Sequence, residues 1–257
     1  MRNILTIAGR EWRALFTSPV AFVVLGGFLF LGGWFFYNLL ARFTMLVSVY
    51  SSTQVGGGEA GLNLNEIVIA PLLHNLAIIL VILVPMITMR SFAEERRSGT
   101  MELLLTSPIG TGQLVLGKFL GIGCFVSLMV GTTLSYGLIL SYYGNPEVPV
   151  MLAGYAGLLL LALTLVAIGL FTSSLTENQI IAAVSGLVVM LLLFIIAWPA
   201  SSAGDVLGPI LEYLSVTEHF DTMVRGVLRS SDLIYFSSMI AGWMFLTQRS
   251  IESLRWR

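Results

Sequence analysis

The chain has 257 residues, 56% of them hydrophobic and only 11% charged, an apolar excess over the roughly 45–50% usual in soluble domains. A water-soluble core cannot hide that much apolar surface, and the net charge of −1 provides no basic field to attract nucleic acid. The single cysteine, Cys124, has no intrachain partner, which excludes a disulfide framework or a cysteine metal site.

Residues 1–18 come first. Leu5, Ala8, Trp12, Leu15 and Phe16 share one helical face, and Arg2, Thr6, Arg10, Arg13 and Thr17 share the other. This spacing predicts an amphipathic interface helix lying on the cytoplasmic membrane surface. Pro19 restricts Ser18 and breaks the chain before it enters the bilayer. The run 20–41 is longer than the roughly 7–15 apolar residues of a signal-peptide core, so it is read as the first span.

Five further apolar runs follow, at 67–89, 114–143, 151–171, 180–198 and 233–248. Each crossing needs roughly 20 apolar residues, and continuous rather than alternating runs mean helices, not barrel strands. The expectation is an all-α integral membrane fold with six transmembrane helices. Residues 19–257 then form one membrane domain. Ten basic residues fall before span one, between spans two and three, and after span six. Only Arg42, Arg225 and Arg229 fall on the other side. This asymmetry places both termini in the cytoplasm.

The loops differ in character. Residues 42–66, with Gly56, Gly57 and Gly58 in a row, read as flexible and exposed. In the extracytoplasmic loop 199–232, Val206, Ile210, Leu214, Phe220, Val224, Val227 and Leu228 recur at helical intervals, which predicts two short amphipathic helices. The cytoplasmic segment 91–113 is the most informative. Span two continues through the charged Glu94, Glu95, Arg96 and Arg97, and Gly99 supplies a left-handed residue that ends the helix. Thr100 is expected to cap a new two-turn helix, Glu102 to sit in its first turn, and Pro108 to close it. That helix offers Met101, Leu103, Leu104 and Leu105 beside charge, the composition of a docking surface.

Across these residues the sequence resembles the ABC-2 type transporter permeases, and more closely their gliding-motility-associated branch. The resemblance is carried by Phe92-x-Glu94-Glu95-Arg96-x-x-Gly99-Thr100-x-Glu102-Leu103-Leu104-Leu105-Thr106-x-Pro108, followed by Gly117-Lys118. It continues in Gly169-x-Phe171-Thr172-Ser173-Ser174-Leu175-Thr176-x-Asn178-Gln179 and from His219-Phe220 through Arg225-Gly226 to Tyr235-Phe236. The resemblance implies the permease subunit of an ATP-driven exporter in the bacterial inner membrane. By that resemblance, Glu94 to Pro108 contain a coupling helix seated in a separate ABC ATPase subunit, present in two copies. A second permease copy or related half completes the membrane path. An auxiliary membrane protein with an extracytoplasmic domain is a further implied partner, besides membrane lipid.

No cofactor is expected on this chain, with ATP and magnesium in the partner ATPase. Gly112 to Lys118 has Walker-like spacing, but Phe119 stands where a P-loop needs Ser or Thr. No zinc motif begins at His74, and Ser185 lacks a nucleophile elbow, so the chain is not read as an enzyme. His74, with Asn75 as a neighbour able to satisfy it, is the one ionisable group well inside a span and marks a translocation path. His219, beside Glu218 and Asp221, is read as an interfacial hydrogen-bonding residue rather than a metal ligand. Gly26-Gly27, Gly32-Gly33 and Gly117-x-x-x-Gly121 offer smooth patches for close helix packing. An ion-coupled transporter or channel is the alternative, and the lack of charged residues mid-span argues against it.

Overall fold

A computed structural model describes residues 2–52, 63–106, 110–200 and 204–254. The triple glycine 56–58 and Pro108 lie outside the described residues, as do the side chains of Leu105 and Thr106. Every described element is helical. They run α1 (Arg2–Thr17), α2 (Pro19–Ser52), a π-helical turn (Asn65–Ile69) leading into α3 (Ala70–Thr88), α4 (Arg90–Arg97), α5 (Thr100–Thr106), α6 (Thr111–Tyr143), α7 (Val148–Leu175), α8 (Gln179–Ile195), α9 (Gly204–Leu214), α10 (Val216–Val224) and α11 (Ser230–Leu254).

Four stretches are long and apolar enough to cross a membrane: Pro19–Tyr50, Asn65–Arg97, Thr111–Tyr143 and Val148–Leu175. The helix Gln179–Ile195 is apolar but shorter. The expected sixth span lies in α11, which has 25 residues but carries Asp232, Arg249 and Glu252 and is less apolar than the four. The chain is thus a multi-pass helical membrane protein.

Loop 42–66 departs from expectation. The helix of the first span continues without a break to Ser52, because residues 42–52 contain neither Gly nor Pro and keep an unbroken run of helix-compatible side chains. Two short helices, α9 and α10, fall inside 199–232. The start of α8 shows local chemistry in action. Asn178 stands in extended conformation and its side chain accepts from the amides of Ile180 at 2.9 Å and Ile181 at 3.5 Å, satisfying donors that have no partner inside the helix.

Helix α7 is the centre of the bundle, packed by α3, α6, α8, α10 and α11. It is buried around most of its circumference, as an apolar helix with no polar face must be, whereas α2 turns Phe22, Phe30, Trp34 and Tyr37 outward. Close approach depends on glycine. A Cβ at Gly169 of α7 would overlap the Thr88 side chain of α3. At Gly117 and Gly121 of α6 it would fall 2.7 Å from Ile7 and 2.8 Å from Glu11, both of α1. The Gly-x-x-x-Gly patch on α6 is therefore the seat of α1. The interface helix is docked on the bundle, with its Trp12 and Phe16 rings against Phe125.

Gly169→Ala should destabilise the bundle by about 1–3 kcal/mol, the cost of overpacking a filled core. Adding Thr88→Ala should restore part of the loss, read as melting temperature in detergent. An unchanged melting temperature in Gly169→Ala would mean that α3 and α7 are not in this contact.

Candidate functional site: a buried ionic hub and the helix it carries

The break between α3 and α4 begins the site. Pro85 cannot donate a hydrogen bond within α3, and the helix is interrupted at Met89 before resuming as α4. The first amides of α4 are capped from another helix. Ser173 Oγ of α7 accepts from Phe92 N at 3.0 Å and Ala93 N at 3.2 Å, and donates to the Met89 carbonyl at 3.0 Å. One turn on, Arg96 donates to the Ser174 carbonyl at 2.8 Å and pairs with Glu177 at 3.3 Å. These contacts give physical roles to the second sequence motif: Gly169 admits α3, Ser173 and Ser174 fix α4, and Asn178 starts α8.

At the centre of the site is Lys118 of α6, 1% exposed. Its ammonium lies 2.9 Å from Glu11 of α1, 2.8 Å from Glu95 of α4 and 2.7 Å from the Ser91 carbonyl, over the Phe92 ring at 5.0 Å. Arg10 reaches the same carboxylate oxygens, at 3.1 Å on Glu11 and 3.0 Å on Glu95. Two cations and two carboxylates thus close a neutral cluster joining three helices. Sequence reasoning counted Lys118 as a loop cation, which the structure corrects: it lies inside α6 and is buried. The signal was present, a lone lysine in an apolar run flanked by the two glycines that bring α1 and its Glu11 within reach.

The hub carries α5. Gly99 has φ +70°, the left-handed conformation that glycine adopts without penalty, and it turns the chain from α4 into α5. Thr100 is the first residue of α5 rather than its cap, and its hydroxyl donates back to the Glu95 carbonyl at 3.3 Å. The apolar cluster divides. Met101 is buried and Leu104 packs partly on the bundle, while Leu103 is 72% exposed and Glu102 is also exposed. Glu94 and Arg97 flank the hub on α4, Arg97 exposed and Glu94 exposed beside it.

The histidines lie at the opposite end of the bundle. His74 is half-buried. Its Nδ1 lies 2.8 Å from the Ala70 carbonyl and its Nε2 3.3 Å from Asp221, which also accepts from Arg225 at 2.7 Å. Asp221 of α10 is thus its partner, and not the adjacent Asn75. His219 bonds Asp232 at 2.7 Å and stacks on Tyr235 at 3.9 Å, so it is an interhelical hydrogen-bonding residue. Thr222 also donates to Asp232 at 2.8 Å. Among the described residues no group of acidic, histidine or cysteine side chains is arranged to hold a metal.

The bundle has helices long and apolar enough to cross a membrane several times, and it carries a short helix beside its buried ionic cluster. Residues 5–247 match the family model for ABC-2 family transporter proteins, and the chain belongs to that family. It is the transmembrane component of an ABC transporter, it associates with an ABC ATPase, and permeases of this family have no catalytic activity of their own and typically no cofactor. No curated protein matches the sequence.

Lys118→Met should cost about 3 kcal/mol, because it removes the buried ammonium and leaves the two partly buried carboxylates of Glu11 and Glu95 to share Arg10. Combining it with Glu11→Gln should recover part of that loss. Thermal unfolding of the purified chain reads both, and a silent Lys118→Met would remove the hub from the account.

Proposed function

We propose that the chain is the permease of an ATP-driven ABC-2 exporter, and that residues 91–113 couple it to the ATPase. The observation that carries this reading is the mount of α5: a two-turn helix presenting Leu103 and Glu102 outward from a turn braced by Gly99, Glu95 and the Lys118 cluster. A surface that transmits force needs a rigid base, and a buried network linking α1, α4 and α6 supplies one. ATP-driven closure of two ATPase copies, with ATP and magnesium held there, pushes on α5. The motion passes through Glu94, Glu95, Arg96 and Arg97 to α3, and through Lys118 to α6.

The same reading has six spans, with α8 and α11 as the fifth and sixth, and both termini in the cytoplasm of a bacterial inner membrane. A second permease copy or related half faces this one, with His74 and Asn75 toward the outer end of the path. The resemblance to the gliding-motility branch adds an auxiliary membrane protein with an extracytoplasmic domain, and a role in export or force transmission. The basic asymmetry of the loops supports the orientation. The match to the ABC-2 family supports the partnership.

Leu103→Ala should weaken ATPase association by about 2 kcal/mol, roughly thirtyfold, as truncation of an interface anchor does. It should abolish most transport while leaving the permease's own melting temperature unchanged, because Leu103 is 72% exposed. Wild-type affinity in that variant would refute the assigned role. The orientation is tested separately in a Cys124→Ser background. A cysteine at Ser230 should react with an impermeant thiol reagent from outside, and one at Ser98 should not. Labelling of Ser98→Cys in sealed right-side-out vesicles would reverse the topology.

A further inference from the structure

Both histidines of the chain hold the same short helix, α10. His74 reaches to it from α3, and His219 reaches from it to α11. All four ring nitrogens face oxygen. His74 lies between the Ala70 carbonyl at 2.8 Å and the Asp221 carboxylate at 3.3 Å. His219 lies between the Asp232 carboxylate at 2.7 Å and the Tyr213 carbonyl at 3.1 Å. A neutral imidazole has one N–H and one lone pair, so His219 as a neutral ring directs a lone pair at an acceptor and only the doubly protonated ring donates to both, while His74 hydrogen-bonds Ala70 and meets Asp221 at ion-pair distance. The carboxylates are themselves held as acceptors, Asp232 by Thr222 at 2.8 Å and Asp221 by Arg225 at 2.7 Å.

We propose that α10 is a proton-operated latch, seated on α3 and α11 while His74 and His219 are imidazolium and loosened when they lose a proton. The remaining charges at the site are few. Helix α10 itself carries Glu218 and Asp221, with Arg225 at its end. Helix α11 brings Asp232, with Arg229 just before it. Helix α9 carries Asp205 and Glu212 and supplies the Tyr213 carbonyl. Helices α7 and α8, which also pack on α10, contain no charged residue, and α3 contains none besides His74.

The sign follows from the state that is satisfied. The cation is the bonded form, so the clamp holds on the acid side and is lost as pH rises. The two clamps are unequal. The His219 and Asp232 side chains are 10% and 4% exposed, those of His74 and Asp221 35% and 33%, so water screens the second pair and the first dominates. Because α10 also packs on α7 and α8, its release loosens the end of the bundle opposite α1. The placement of that end outside the cytoplasm rests on the orientation proposed above; the latch itself does not.

Hydrogen–deuterium exchange of the full chain in detergent tests the latch, with each amide corrected for its intrinsic rate. Protection of residues 216–224 should fall by roughly tenfold or more between about pH 5 and about pH 8, the loss of at least one charge-assisted bond. Buried amides of α7 should hold constant. His219→Gln should leave α10 weakly protected at both pH values, and His74→Gln should keep a smaller step. A step that is absent from the wild-type chain, or that persists in the double variant, overturns the proposal. Should the double variant not fold, Asp221→Asn, on the more exposed pair, must still shrink the step, and an undiminished step overturns the proposal equally. In proteoliposomes the step should follow the pH on the Ser230 side of the membrane. A step that follows the opposite side overturns the latch, whereas labelling that puts Ser230 on the cytoplasmic side overturns only the orientation.

Discussion

The ammonium of Lys118 has to be buried, and much of one end of the molecule is arranged around that requirement. A lone cation removed from water costs several kcal/mol unless it is paired and hydrogen-bonded. Here the compensation comes from two other helices: a carboxylate on α1, and a carboxylate and a backbone carbonyl on α4. The two helices are not neighbours in sequence, so the cluster forms only when α1 lies in its glycine seat on α6 and α4 has turned off the end of α3. Arg10 balances the charge. Even so, Glu95 Oε2 and Ser91 Oγ have no protein partner in their buried positions, and an incompletely satisfied network of this kind is sensitive to any shift of its members.

The two ends of the bundle are built differently. Near α1, charges of both signs are drawn into one tight cluster and a short helix is left projecting from it. At the other end the polar contacts are two histidine–carboxylate pairs on a nine-residue helix, with stacked rings and single hydrogen bonds around them. Between them runs α7, apolar and surrounded, which ties the two together: Ser173 and Ser174 at one end meet α4, and its other end meets α10. Packing is thus continuous along the bundle between its two ends, and Gly169 leaves no room for a side chain beside Thr88.

Much of this was legible in the sequence because membrane constraints act on local composition. Backbone groups in lipid must be satisfied within the segment, so an apolar run of sufficient length is a helix. The amphipathic face of α1, the short helices in 199–232 and the left-handed turn at Gly99 follow from spacing or from a single residue type. The error at 42–66 arose because exposed position was taken as irregular structure, although nothing before Ser52 breaks a helix. The split within Met101, Leu103 and Leu104 was not visible either: three apolar residues in a row name a cluster, but which of them turns inward depends on how α5 sits on the bundle.

The sequence by itself determined that this chain spans a membrane and where most of its helices lie, since both follow from hydrophobicity, turn chemistry and charge read along the chain. The tertiary structure alone decided the partners of the polar groups. Lys118 with Glu11 and Glu95, Ser173 with the amides of α4, His74 with Asp221 and His219 with Asp232 are separated by between 13 and 147 positions. Whether a polar side chain in a membrane protein faces water or another charge is a property of how the helices pack, and helix packing is set by surfaces that meet across the whole chain.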